Sequence, residues 1–503
     1  MDVNLNSKLM KKLIYIVIAM ALCGCSKIVE PEGIMNDPIK MTPEYRGATF
    51  PVNIAAPAFT LESNAADNIA GYMVQLGREG ESPVIQVKAG RDGKISIPLK
   101  KWQKLLESAK GQNIYFRVMA SIGGHWMLDQ TVQASPVSPY PIDEYLCYRL
   151  LYPGYELWNS IGIYERNLTN YDQKPILENK DFDRQCINCH NFSAGNPEQG
   201  LMIHVRGPQG GTLISRNGKV EKINSKFNGS NHGATYPGWS PNGRFIAFSA
   251  NDVGQVFHSS GSKPIEVVDR AADLMVYDVE THQAYSDSTI CGSDYIETFP
   301  NWSPDSKTIF FCRANGVSDT TPLDSVRYDL CSIGFDASTG RFSDLKVLYS
   351  AAADSASVSF PRCSPDGRWL MFTRSDYGNF SIWHPEADLC IMDLRTGQWR
   401  KLDEVNSGSI ESYHSWDSSG RWFVFSSKRM DGLWARPYFA AFDPETGRAA
   451  TPFCLPQKAP DFYQEFLRTF NIPELVKSPV VNTDALLHGI ISQQPQTIQL
   501  EQK

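Results

Sequence analysis

The chain has 503 residues, 42% of them hydrophobic and 20% charged, with a net charge of -7. This composition excludes a disordered or collagen-like chain, and the acidic balance excludes a broad nucleic-acid-binding surface. No apolar run reaches the ~18 residues of a membrane-crossing helix, while 37 Gly, 31 Pro and 11% aromatic residues favour a turn-rich β protein.

At the N-terminus Lys8, Lys11 and Lys12 precede an apolar stretch from Leu13 to Leu22, closing on Leu22-Cys23-Gly24-Cys25. A charged segment, a short apolar segment and a small residue mark an export signal over residues 1–24. The Leu-x-Gly-Cys run resembles a bacterial lipobox. That resemblance implies acylation of Cys25 and a protein of the cell envelope, at the outer membrane, anchored to the bilayer without spanning it. Residues 25–44, with Pro31, read as a tether. Export places the nine later cysteines in an oxidising compartment, and an odd number cannot all pair.

Residues 45–135 alternate apolar and polar side chains in short runs, such as Tyr72-Met73-Val74-Gln75-Leu76 and Ile114-Tyr115-Phe116-Arg117-Val118. Asp92-Gly93 predicts a hairpin turn. Trp102, Leu105, Leu106 and Ala109 fall at the spacing of one helix face. The stretch predicts a small, fibronectin-like β-sandwich, and Pro136, Pro139 and Pro141 mark a linker after it.

From residue 142 the chain repeats. "YPGWSPNGRFIAFSA" from Tyr236, "FPNWSPDSKTIFFCR" from Phe299, "FPRCSPDGRWLMFTR" from Phe360 and "YHSWDSSGRWFVFSS" from Tyr413 share one pattern, anchored at Trp239, Trp302, Cys363 and Trp416. Each unit later closes on a turn opened by Asp278, Asp336, Asp393 or Asp443. These units resemble the TolB-like propeller repeat, related to WD-type repeats. The resemblance implies an all-β propeller of about six blades over residues 142–458, with degenerate first blades in "NSIGIYERNLTNYDQKPIL" and "LMIHVRGPQGGTLISRNGKVEKI". Beyond it, Asp461 with Gln464 matches a capping box, and Phe462, Phe466 and Phe470 form a helical stripe. Residues 459–491 are therefore expected to be a helical extension. The Gln-rich residues 492–503 are expected to be disordered.

One motif carries chemistry. Cys186-Ile187-Asn188-Cys189-His190 is a CxxCH run and resembles the attachment sequence of c-type cytochromes. The resemblance implies haem c bound through Cys186 and Cys189, with His190 as an axial ligand. No cytochrome-like helical domain flanks the run, so a Cys186–Cys189 disulfide or a metal knuckle with His190 stays open. A second axial ligand would come from "LMIHVRG", where Met202, His204 and Arg206 share one side of a predicted strand. His204 is a better ligand candidate than Met202, with a plain hydrogen-bonding role in a blade interface as the alternative, and Arg206 is the candidate partner of a haem propionate; His232 is a further candidate. Cys312 and Cys331 fall on neighbouring strands of one blade, where a disulfide is open, but they read rather as small buried hydrophobes.

There is no GxSxG elbow, HExxH or Walker loop, and whether the chain is an enzyme stays open. Three functions remain. The first is an envelope redox protein with a haem and a redox partner at the propeller mouth. The second is a scaffold that binds a protein or glycan there, with a structural CxxCH. The third is an envelope enzyme working in the channel.

Overall fold

The computed structural model describes residues 27–64, 68–131, 133–152, 160–208, 210–226, 233–480, 487 and 489–502. Cys25 and His232 lie outside them. Among the described residues no helix is long and apolar enough to cross a membrane.

The N-terminal region holds two sheets. One is built around the paired strands Ile69–Arg78 and Asn113–Ile122; the other joins Lys40–Thr42, Ala58–Glu62 and Lys94–Ser96. The helix Leu99–Ser108 buries Trp102, Leu105 and Leu106 against them, as its spacing predicts. Asp92-Gly93 does form a turn, with Gly93 at a φ of 62°. It is not a hairpin, however: Ile85–Ala89 before it pairs in the first sheet and Lys94–Ser96 after it in the second. The turn hands the chain from one layer to the other.

Six antiparallel sheets follow. The second to sixth open with inner strands Cys186–Ser193, Ala234–Trp239, Tyr295–Trp302, Ser357–Cys363 and Glu411–Trp416, and each continues outward strand by strand. The first sheet takes its inner strand from the far end of the chain. Thr469–Val476 pairs with Tyr145–Leu151, which leads outward to Ile161–Asn167 and Gln173–Glu178. Successive inner strands touch, from the second sheet round to Thr469–Val476. Glu474 returns to the start, its Oε1 accepting the Phe192 N–H at 3.0 Å.

The repeat is visible in the hydrogen bonds. The residue after each anchor accepts the N–H five positions on: Ser240 from Phe245, Ser303 from Thr308 and Ser364 from Trp369, through Oγ at 2.9–3.0 Å, and Asp417 from Trp422, through Oδ1 at 3.1 Å. Asp278, Asp336, Asp393 and Asp443 each accept the N–H two residues on, which fixes the turn locally. Trp239, Trp302, Cys363 and Trp416 hold equivalent registers, opposite Ile246, Ile309, Leu370 and Phe423.

Two expectations for the C-terminus need correction. In the described part of 459–491, Phe462–Glu465 and residues 487 and 489–491 are helical, but Phe470 is drawn into the strand Thr469–Val476 that completes the first sheet, so the extension is not one helix. Residues 496–502 are not disordered: Gln496–Thr497 and Gln499–Gln502 add parallel to the outer edges of the second and third sheets. The N-terminal region is also not a separate body. Its core runs without a break into the sixth sheet, where the Phe50 and Phe453 ring centroids lie 5.1 Å apart.

Candidate functional site

Each inner strand carries a bulge at the equivalent place, where two residues oppose one on the next strand. The pairs are Asn188-Cys189, Tyr236-Pro237, Phe299-Pro300, Phe360-Pro361, Tyr413-His414 and Ile472-Pro473. Tyr236, Phe299, Phe360, Tyr413 and Ile472 all have φ between 47° and 55°. A left-handed backbone at bulky residues is strained and persists only where the surroundings enforce it. Here it turns the side chains toward the common axis, where the rings of Tyr236, Phe299, Phe360 and Tyr413 pack in sequence, tilted or edge-on, with centroids 4.1–4.8 Å apart. They plug the centre. The CxxCH run holds the equivalent register in the second sheet, with Asn188 in the aromatic slot but without the left-handed φ of the other five.

This placement decides what the motif can hold. The Cys189 Sγ is buried and accepts the Tyr236 N–H at 3.4 Å. Cys186 is half-buried in register with Arg206. Burial pushes both thiols up, against the pull of Arg149 and Arg206, so neither is an activated nucleophile. His190 is 3% exposed and faces a cavity of about 20 Å³, room for about one water. Neither of its ring nitrogens has a hydrogen-bond partner, and burial, with Arg149 nearby, lowers its pKa to about 3. A tetrapyrrole needs a cleft of several hundred Å³. As folded, Cys186, Cys189 and His190 do not fit one.

His204 does not oppose His190. The register pairs His190 with Ile203, so these share a face and His204 takes the other, correcting the expected axial pair. His204 lies opposite the bulge, where the other sheets have Phe248, Phe311, Phe372, Phe425 and Tyr148. It is a buried core histidine, its Nδ1 3.1 Å from the Thr212 Oγ1, and burial lowers its pKa to about 3. The histidine that shares the small cavity with His190 is His414, of the sixth sheet. Both nitrogens of His414 lack a hydrogen-bond partner, and burial and Arg362 take its pKa to about 3, against the weak pull of the Met371 and Phe360 carbonyls. Arg362 lines the same cavity and repels cations from it. Among the described residues no three His, Cys, Asp or Glu side chains converge as a metal site. Cys312 and Cys331 are free and buried in separate clusters.

A substantial opening lies on the other side of the plug. A cavity of about 540 Å³ at the mouth of the axis is walled by Tyr236, Tyr413, Phe380, Ile382, Trp383 and Trp434. Asn188 reaches it from the CxxCH run, held by Arg149, whose Nη1 donates to the Asn188 Oδ1 at 2.8 Å and to its carbonyl at 2.9 Å. Arg206 and Lys428 add cationic groups to a polar lining that also includes Gln255, His258 and Asn471, so the predicted Arg206 belongs to the wall of a cavity. Lys428 is 4% exposed, with its Nζ 4.0 Å from the Trp383 ring centre, and burial lowers its pKa to about 8. Arg149, Lys428 and Trp383 carry no sequence signature. Aligning Asn188-Cys189-His190-Asn191 on Tyr236-Pro237-Gly238-Trp239 would have placed the motif at the axis.

No family model matches the chain, and no curated protein does. Solved structures to which the chain is similar include a protein assigned as TolB in Agrobacterium tumefaciens, at 16% identity over 61% of this chain and 90% of that one, with a TM-score of 0.36. A periplasmic gluconolactonase of Pseudomonas aeruginosa matches at 14% identity over 65% and 99%, with a TM-score of 0.32. An oligogalacturonate lyase of Vibrio parahaemolyticus matches at 12% over 59% and 71%, with a TM-score of 0.33.

Proposed function

We propose that the chain is a lipid-anchored envelope module on a six-bladed propeller, closed by the C-terminal strand, that binds a ligand in the mouth of its central axis. The mouth cavity carries this reading. Its volume of about 540 Å³ lies within the ~300–1,000 Å³ of ligand sites, and aromatic walls with a few placed polar groups are the usual lining. The CxxCH run belongs to the wall of this scaffold, with Cys189 and His190 packed below the plug. Envelope location rests on the lipobox at Cys25.

The test is thermal unfolding of the purified chain against panels of glycans, peptides and small organic acids. A ligand at ~100 times its dissociation constant stabilises by about 2.7 kcal/mol. A panel member should raise the melting temperature, and Trp383→Ala should remove the shift. Stabilisation that survives Trp383→Ala would contradict a site at the mouth.

A further inference from the structure

Resting on that reading, we propose that the mouth cavity takes a small amphipathic organic anion: a carboxylate on a flat apolar body, held by Arg149, Arg206 and Lys428, with the body against Trp383 and Tyr413. The charge of the lining points there. The chain is acidic overall, with a net charge of -7, yet none of the residues lining this cavity is Asp or Glu, and three are cations. The adjoining cavity of about 460 Å³ is the reverse, with Asp252, Glu266, Asp269 and Asp319 in its lining.

The three cations are not consumed by the fold. Among the described residues none of them forms an ion pair with a carboxylate, although the protein makes many such pairs elsewhere. The Arg149 Nη1 is spent on Asn188 and Ile187, while its Nε is buried without a partner. Lys428 is buried over Trp383, and Asp431 acts on it only at a distance. An unpaired buried ammonium costs stability, and a bound anion offsets that cost. A planar guanidinium suits a carboxylate in a two-point bond. The walls specify the rest of the ligand: Ile161, Phe380 and Ile382 are apolar, and the rings of Trp383, Trp434 and Tyr413 pack well against another flat ring.

The experiment uses the full chain with 1-naphthaleneacetate and its neutral counterpart 1-naphthaleneacetamide, followed by calorimetry and tryptophan fluorescence at pH 7. The acid should bind at one site per chain, at least tenfold tighter than the amide. Its affinity should fall as salt is raised, and the amide's should not. Lys428→Met, which needs no new partner in an apolar wall, should weaken the acid about tenfold and leave the amide unchanged. Arg206→Gln should do the same. Equal binding of acid and amide would overturn the anion inference while leaving the binding module standing. Binding of neither to a chain that melts cooperatively would overturn the inference as well. A covalently bound haem in the intact mass would instead overturn the functional reading beneath it.

Discussion

Lys428 is the residue at which site and fold pull in opposite directions. Its pKa falls from the ordinary 10.5 to about 8, because burial disfavours the ammonium. The folded state therefore bears a penalty in full below about pH 8, which fades as pH rises toward 10.5, where the unfolded chain also loses the proton. Lys428→Met should raise stability by about 1–3 kcal/mol at pH 7 and by less at pH 10. Urea unfolding at the two pH values checks this, and a loss of stability at pH 7 would show that the ammonium is paired. His204 gives the complementary case. Its pKa is depressed from 6.5 to about 3, so the stability its neutral ring carries is present above pH 6.5 and is lost as pH falls through that window. Phenylalanine or tyrosine fills the equivalent slot in the other five sheets. His204→Phe should stay within about 1 kcal/mol of the parent at pH 7, since one hydrogen bond to Thr212 is lost. At pH 5 it should gain about 2 kcal/mol over the parent. A pH-independent difference would refute the assignment.

At the scale of elements, the bulged inner strand explains which parts of the fold were legible. Units that keep Trp239, Trp302 or Trp416, with their Ser or Asp turn, announce themselves in sequence because each uses the same local hydrogen bonds. The second sheet keeps the two-against-one register but replaces Tyr-Pro-Gly-Trp with Asn-Cys-His-Asn, so an equivalent inner-strand segment reads as a haem motif. The inner strand of the first sheet was hidden differently. Phe462, Phe466 and Phe470 have helical spacing, yet long-range pairing of Thr469–Val476 with Tyr145–Leu151 outweighs that local preference for Phe470. The mouth cavity was illegible because Arg149 and Arg206 come from two different sheets and Lys428 from the loop after a strand of a third. Truncation tests the two C-terminal additions. A chain ending at 494 loses only the added edge strands and should fold with a modest loss of stability. A chain ending at 468 loses the inner strand of the first sheet and should be insoluble. Soluble, cooperative folding of the shorter chain would refute closure by Thr469–Val476.

At the scale of the whole molecule, the N-terminal region and the sixth sheet share one core, and polar contacts reinforce it. The Trp422 Nε1 donates to the Tyr140 carbonyl at 3.2 Å, and the Lys94 Nζ lies 2.7 Å from the Asp461 Oδ2. Phe50 is fully buried between Trp102 and Phe453, so Phe50→Ala should cost about 3–5 kcal/mol. It should lower the melting of both regions together, with near-ultraviolet and far-ultraviolet signals moving as one. Two separated transitions would mean that the regions are independent. The central claim is that Cys186, Cys189 and His190 build the wall of a binding scaffold and hold no haem. Intact mass of the full chain, produced in a host that matures c-type cytochromes, tests it most directly. The account predicts the polypeptide with its lipid and no further mass; an added haem mass, with a Soret band that survives denaturation, would contradict it.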